Sequence, residues 1–412
     1  AARAWQQAGA AALPIEPLSA FAALPPQAPV LVIDGLFGIG LTRALPPAAE
    51  AAVELPARHD WPVIAVDVPS GLLPDTGRAA GDGAVVRAAV TVTMIGDKPG
   101  LHTGAGRDAA GQVRVATLGL ALPQPDGELL GAGALDASAL QRPQDSHKGR
   151  FGDLLVIGGA PGMTGAALLA ALGAQAAGAG RIYVAALDPL PADPAHPELM
   201  TRKLPTGRAE LGDATAIVIG CGLGRSTRAA ESVAAAIAHG AALVADADAL
   251  NAIAADPTLA ESLRARADRD AATVLTPHPL EAARLLQATT AAVQSDRIAA
   301  ALALARRYRG LVVLKGSGSV IAAPDGRWAI NGSGGPALAT AGSGDVLAGA
   351  IGGLLAARVP PWQATRLAVW AHGAAGDAIA ERDGVLGVAA GALPAAIRDA
   401  LNRLPARPAA TA

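Results

Sequence analysis

Four residues, Gly342-Ser343-Gly344-Asp345, open the apolar stretch VLAGAIGGLLAA, and their types narrow the chemistry they can do. Three small residues let the backbone close tightly around an anion. The free N–H groups and positive dipole end of a following helix then face that anion. A carboxylate beside such a cradle repels an anionic ligand unless it has chemistry of its own. Its natural use is to take a proton from a hydroxyl while the amides hold the group that the hydroxyl attacks. An aspartate there also fits an ordinary helix N-cap after a glycine turn, so its company decides.

That company lies at the ends of apolar runs. Asp34, Asp67, Asp246, His278 and Lys315 each end or closely follow one. The runs span Val30 to Asp34, Pro62 to Val68, Val90 to Ile95, Asp153 to Gly159, Arg181 to Leu187, Ala216 to Gly220, Ala242 to Asp248, Ala272 to His278 and Leu311 to Gly316. Most are continuously apolar, as parallel strands covered on both faces must be. They alternate with Ala-rich helical stretches, the pattern of a three-layer α/β architecture. Ser319 to Ile330 reads as an antiparallel hairpin around Pro324-Asp325-Gly326. Ligands of open α/β sheets bind at the carboxyl ends of the strands, where these polar residues fall.

The chain has 412 residues, 51% of them hydrophobic and 17% charged, which predicts two α/β domains with large cores. The Pro-, Gly- and Asp-rich segment 122–140 is expected to link a domain over 1–121 to a domain over 141–405. A formal net charge of −2 favours neither nucleic acid nor an anionic membrane as partner. The single cysteine, Cys221, excludes an intrachain disulfide and reads as a small buried filler. No signal segment or bilayer-length apolar run is visible, so a cytoplasmic location is expected. The first residues, AARAWQQAGAAALP, read as helical.

HKGRFG (His147 to Gly152), GMTGAALLA (Gly162 to Ala170), GCGLGRS (Gly220 to Ser226), DADALN (Asp246 to Asn251), TPHPLEAARLL (Thr276 to Leu286), VLKGSGSVI (Val313 to Ile321) and NGSGGPALATAGSGDVLAG (Asn331 to Gly349) occur in that order. Together they resemble the ADP- or ATP-dependent NAD(P)H-hydrate dehydratase family of the ribokinase-like fold, across residues 141–400. The resemblance implies repair of hydrated NADH or NADPH, in which a nucleotide phosphorylates the hydroxyl and phosphate is then eliminated. It makes Asp345 the base, Gly342, Ser343 and Gly344 the anion hole, and Lys315, Gly316, Ser317, Gly318, Ser319 and Gly344 the nucleotide site. Ala166, Gly222, Gly224, His278 and Asp345 would line the substrate site. Magnesium is the implied metal, with Asp246 and Asn251 as candidates to hold it or a water; His147 and Lys148 mark the domain's entry. Two departures stand out: Ser333 to Ala337 reads SGGPA where the family has a TGNPG-like run, placing Gly335 at an amide position, and GSGD replaces GTGD.

VIDGLFGIGLTRAL (Val32 to Leu45), VDVPSGLLPDTG (Val66 to Gly77) and GDKPGLHTGAGRDAAG (Gly96 to Gly111) resemble the carboxyl half of the NAD(P)H-hydrate epimerase domain, a partial Rossmann-like unit. The resemblance implies potassium held by Asp34 and Ser70, whose hard oxygens suit a hard cation. It implies substrate phosphates wrapped by Gly38, Ile39, Gly40, Leu41, Thr42, Arg43 and Ala44, and acid–base chemistry at Asp67. The family's amino half carries a GNNGGDG-type loop, and no such pattern precedes Val30. Either the sequence is a fragment of a longer protein or the epimerase half has decayed, and this chain is expected to be a dehydratase whose epimerase activity is lost or severely weakened. A homo-oligomer acting on a small molecule is the expected working form. The rival reading is a vitamin-precursor or sugar kinase of the same fold.

Overall fold

The computed structural model describes residues 30–121, 125–188 and 193–406. The helix expected at the start of the chain lies outside them. The chain divides into two compact units, Ala1–Gln124 and Pro125–Ala412.

The first unit holds a parallel sheet of β1 (Val32–Asp34), β2 (Val63–Val66), β3 (Val90–Met94) and β4 (Gln112–Ala116), in the order β1-β2-β3-β4. The helix Pro47–Arg58 buries Ala49 and Val53 against Val63 and Val86. A separate small core gathers Val68, Leu72, Leu101, Ala109 and Ala110. Because β1 to β3 run parallel, Asp34, Asp67 and the segment after Met94 all emerge at one end of the sheet.

The second unit is built on ten strands ordered β5-β14-β13-β12-β11-β10-β9-β6-β7-β8. They are β5 (Glu128–Leu130), β6 (Asp153–Gly158), β7 (Arg181–Ala186), β8 (Met200–Arg202), β9 (Ala216–Ile219), β10 (Ala242–Ala245), β11 (Thr273–Leu275), β12 (Leu311–Leu314), β13 (Val320–Ala322) and β14 (Trp328–Asn331). Every pairing is parallel except β12–β13 and β13–β14, the expected hairpin. Alternate strand residues enter two different cores. Leu154, Val156, Val218, Val244 and Val313 pack beneath the helices Thr164–Ala176, Ser343–Ala356 and Pro361–Asp383. Leu155, Ile157, Ile217, Leu243 and Leu314 pack beneath Thr227–Ala238, Ala247–Ala255 and Arg297–Tyr308. Each such side chain contributes about 1.5–3 kcal/mol on burial, which is why these strands carry no polar face. Among the described residues no helix is long and apolar enough to cross a membrane.

The segment expected as a linker over 122–140 contributes a strand to this sheet. Glu128–Leu130 pairs in parallel with β14 as the outermost strand, and the division falls after Gln124. A three-residue strand among Pro and Gly has too short an apolar period to stand out from a connecting segment.

Candidate active site

In the second unit, strands β9, β10, β11 and β12 deliver Cys221, Asp246, His278 and Lys315 at their carboxyl ends. The helix Ser343–Ala356 starts there. Its N-cap, Gly342, has φ 90°, and a Cβ at that position would lie 2.5 Å from Leu169 Cδ1 and 3.1 Å from Ala390 Cβ. Only glycine satisfies both conditions. The Ser343 hydroxyl donates to the Leu338 carbonyl at 2.8 Å, so it secures the loop rather than facing a ligand.

Asp345 sits in the first turn of this helix. Burial pushes its carboxyl up to about 6, and the Asp246 charge adds to the rise. A hydrogen bond from the Cys221 thiol and the Lys315 charge oppose it. Ligand atoms of Cys221, Asp246 and Asp345 lie within 4.8 Å of one another. Burial also pushes the Cys221 thiol up, which keeps it a protonated donor to Asp345 rather than a thiolate. Lys315 Nζ donates to Asp246 Oδ1 at 2.6 Å, with the aspartate side chain only 2% exposed. A Cβ added to Gly344 would come within 3.2 Å of that ammonium. The helix amides, the lysine and the elevated carboxyl therefore share one place.

The Lys315 to Ser319 loop is tied from below. Buried Arg297 donates from Nη2 to the carbonyls of Leu314, Lys315 and Gly318 at 3.2, 3.3 and 3.4 Å. Within the loop, the Gly316 N–H donates to Ser319 Oγ, which donates back to the Gly316 carbonyl. Gly316 and Gly318 both adopt positive φ, and Ser317 lies between them.

On the facing side, a Cβ on Gly222 would lie 3.0 Å from Ala166 Cβ, so these two residues adjoin. The Gly224 N–H donates to Asp248 Oδ2 at 2.8 Å. His278 N-caps the helix Pro279–Leu286. Its Nδ1 accepts from the Leu280 and Glu281 N–H groups at 3.1 and 3.3 Å, while the Glu281 carboxylate accepts the His278 N–H at 2.8 Å. An accepting Nδ1 places the proton on Nε2. Burial, with the Lys315 charge, holds the imidazole below its ordinary value, so His278 is a neutral donor. Burial lifts Glu281 to about 6.

Several sequence expectations meet other partners. Asp246 carries the Lys315 ion pair through Oδ1, and the Asn251 side-chain oxygen accepts from Arg284 at 2.6 Å. His147 and Lys148 are exposed just before β6, at the amino end of the strand. Gly335 lies where a Cβ would be 3.6 Å from Asp377 Oδ1.

In the first unit, Asp34 is buried and accepts the Ser70 N–H at 2.7 Å and hydroxyl at 2.6 Å. Ser70 Oγ in turn accepts the Phe37 N–H at 2.9 Å. The loop from Gly38 to Ala44 contains a turn closed by the Leu41 N–H on the Gly38 carbonyl, and Ile39 within it is exposed. Asp67, at φ 70°, accepts from Lys98 Nζ at 2.5 Å and the Met94 N–H at 2.9 Å. Burial raises its pKa, but Lys98 and the Met94 N–H outweigh it and hold the carboxyl below the ordinary range. Lys98 was not singled out from sequence; its signal is the DKPG turn one strand away.

Known proteins resemble both units. The family model for NAD(P)H-hydrate dehydratase matches residues 154–399, and that for the YjeF-related protein N-terminus matches residues 1–100. A bifunctional NAD(P)H-hydrate repair enzyme of Escherichia coli is 38% identical over 373 residues, covering 89% of this chain and 70% of its own length. An ADP-dependent (S)-NAD(P)H-hydrate dehydratase of Neisseria meningitidis is 42% identical over 269 residues, covering 64% of this chain and 89% of itself. Among solved structures, an ADP/ATP-dependent NAD(P)H-hydrate dehydratase from Bacillus subtilis, co-crystallised with ATP and Mg2+, superposes with a TM-score of 0.61. It is 30% identical and covers 68% of this chain and 99% of its own. A ribokinase-like superfamily protein from Enterococcus faecalis gives 0.56 at 25% identity, covering 70% of this chain and 100% of its own. With the model matching across most of the second unit and the repair enzymes aligned through both, the chain belongs to the NAD(P)H-hydrate dehydratase family.

Proposed function

We propose that the second unit removes water from hydrated NADH or NADPH in a nucleotide-dependent reaction, with ADP or ATP as phosphoryl donor. The observation that carries this is the elevated carboxyl of Asp345, set between the helix amides and the Lys315–Asp246 pair. Ionised Asp345 takes the proton of the ring hydroxyl as its oxygen bonds to the terminal phosphorus. The bond from that phosphorus to the bridging oxygen breaks, releasing the shortened nucleotide. Lys315 and the Gly344 N–H offset the charge on the transferring group, while the Ser343 N–H donates to the Thr340 carbonyl at 3.4 Å. The C–O bond of the ester then breaks, phosphate departs with the electron pair, and the ring nitrogen's lone pair fills the vacancy at that carbon. Loss of a proton from the neighbouring carbon restores the double bond.

His278 Nε2 lies 3.3 Å from Glu281 Oε1, so its N–H would be shared between that carboxylate and a substrate, and Ala166 and Gly222 offer a close, smooth wall for a flat ring. Magnesium would neutralise nucleotide phosphates. The thiol is protonated, so of the Cys221–Asp246–Asp345 cluster the carboxylate of Asp345 and the second oxygen of Asp246, whose Oδ1 accepts from Lys315, are the groups that would meet a cation.

The direct test is to incubate the chain with ADP, then ATP, and hydrated NADH. Recovery of NADH absorbance supports the reading, and accumulation of a stable phosphorylated alcohol overturns it in favour of a kinase. The pH dependence is a second expected outcome. A base must be ionised, and the Asp345 carboxyl in the free chain titrates at about 6. So kcat/KM should be flat above pH 7 and fall about tenfold per unit below about pH 5.5. A profile flat down to pH 4.5 would remove Asp345 as the base.

For the first unit, the Asp67–Lys98 pair supports interconversion of the two hydrate stereoisomers by proton transfer. Asp34 and Ser70 supply oxygens that fit a potassium ion, Ser70 Oγ keeping one lone pair beyond the one used by Phe37. Asp67→Asn is expected to slow any catalysed R-to-S conversion by about a hundredfold and leave dehydration of pure S hydrate unchanged. Chiral chromatography of the hydrate checks this, and equal conversion by both proteins would refute it.

A further inference from the structure

Helix Pro361–Asp383 lies along the loop that leads into Gly342. Gly373 lets it approach closely, since a Cβ there would sit 2.2 Å from Ser333 Oγ. The loop is fastened to this helix at its start: Ser333 Oγ donates to the Trp370 carbonyl at 2.9 Å, Asn331 Nδ2 donates to the Val369 carbonyl at 3.2 Å, and Asp377 Oδ2 accepts the Gly334 N–H at 2.8 Å. At the other end of the loop stands one side chain, His372. It is 8% exposed, and its Nε2 lies 2.9 Å from the carbonyl oxygen of Ser343. A carbonyl only accepts, so Nε2 carries the proton.

The consequence follows from the geometry of one peptide. In a trans peptide the C=O and the next N–H point in opposite directions. Holding the Ser343 carbonyl on His372 therefore aims the Gly344 N–H away from the long helix. Gly344 lies next to Lys315 Nζ, as its 3.2 Å Cβ approach shows. The amides of a helix's first turn have no partner within the helix, so this N–H is available to a phosphoryl oxygen there. We propose that His372 is a positioning residue for the anion hole: its Nε2–H fixes the Ser343–Gly344 peptide so that the Gly344 amide meets the transferring phosphoryl group.

A charged imidazole at this spot would add a cation behind the hole. Burial holds the His372 ring far below its ordinary value, to about 4, so the group works as a neutral donor throughout the enzyme's pH range. The role is also directional. A residue that filled the same space without an N–H would leave the carbonyl to the helix ladder alone, without the second donor that resists tilting of this first-turn peptide.

This inference rests on the dehydratase reading above. The experiment compares the full chain with His372→Leu, which keeps bulk and removes the donor, and His372→Gln, whose side-chain amide reaches as far as Nε2. Steady-state rates with ADP or ATP and hydrated NADH would be measured beside nucleotide binding by calorimetry. His372→Leu should lose about ten- to a hundredfold in kcat, below the loss from deleting an anion-hole donor outright, with nucleotide Kd changed less than about threefold. His372→Gln should recover most of the loss. Equal kcat in all three proteins would overturn the proposal, as would equal loss in both variants. Nitrogen-15 spectra of histidine-labelled parent chain give a readout that needs no variant to fold. They should show a neutral ring protonated at Nε2 from pH 5.5 to 8, and an Nδ1–H tautomer would sink the proposal. An inactive parent chain would instead refute the dehydratase reading itself.

Discussion

Asp345→Asn is expected to lower dehydratase turnover by about two to four orders of magnitude, the range a positioned general base contributes, with nucleotide affinity nearly unchanged. The amide keeps the shape and can still accept the Cys221 thiol proton. It cannot take a proton from a hydroxyl. The groups proposed to hold the nucleotide, the Lys315 loop and the helix amides, do not depend on this carboxylate. Stability should be retained or slightly raised, because burial and the Asp246 charge both disfavour the ionised acid. Single-turnover rates, calorimetry with ADP and a melting curve measure the three quantities independently. Turnover within tenfold of the parent would show that another group removes the proton.

Much of the frame was legible in the sequence because both signals it uses are local. A strand buried on two faces must be continuously apolar, so β6, β9, β10 and β12 announce themselves, and Pro324-Asp325-Gly326 marks the hairpin. The residues at the strand ends, Asp246, His278 and Lys315, could be picked out as polar interruptions. β4, β5 and β8 were missed for the converse reason. They are outermost strands of three to five residues, and β4 reads QVRVA with mostly exposed side chains.

What could not be read was pairing between distant segments. Cys221 passes for a filler until Asp345, more than a hundred positions later, is folded against it. Arg297 lies in an ordinary amphipathic helix, and only the fold places its guanidinium beneath the carbonyls of Leu314, Lys315 and Gly318. Lys98 and Asp67 are 31 residues apart, in the segments that follow neighbouring strands. Each of these partners changes how a recognised residue behaves. An acid at the end of an element cannot be called ionised or elevated until its neighbours are known: Asp67 follows a strand, Asp345 sits in the first turn of a helix, and the structure moves their carboxyls in opposite directions.

The lysine beside Asp345 is the other residue whose loss should be severe, and in two separable ways. Lys315→Met keeps the aliphatic stem and deletes the ammonium. Asp246, 2% exposed, would be left as an unpaired buried charge, and removing one partner of such a pair typically costs about 3–5 kcal/mol of stability. Nucleotide affinity should fall about tenfold or more, since a charged contact to phosphate is lost in a partly dry site. Adding Asp246→Asn separates the two effects. The double variant no longer buries an unpaired charge, so its melting temperature should return most of the way to that of the parent. Its nucleotide affinity should stay low, because the phosphate still lacks its cation. Recovery of both together would mean that Lys315 serves only to neutralise Asp246. Recovery of stability alone places the ammonium on the nucleotide, with Asp246 as the group that holds it in position for the phosphoryl group beside Gly344.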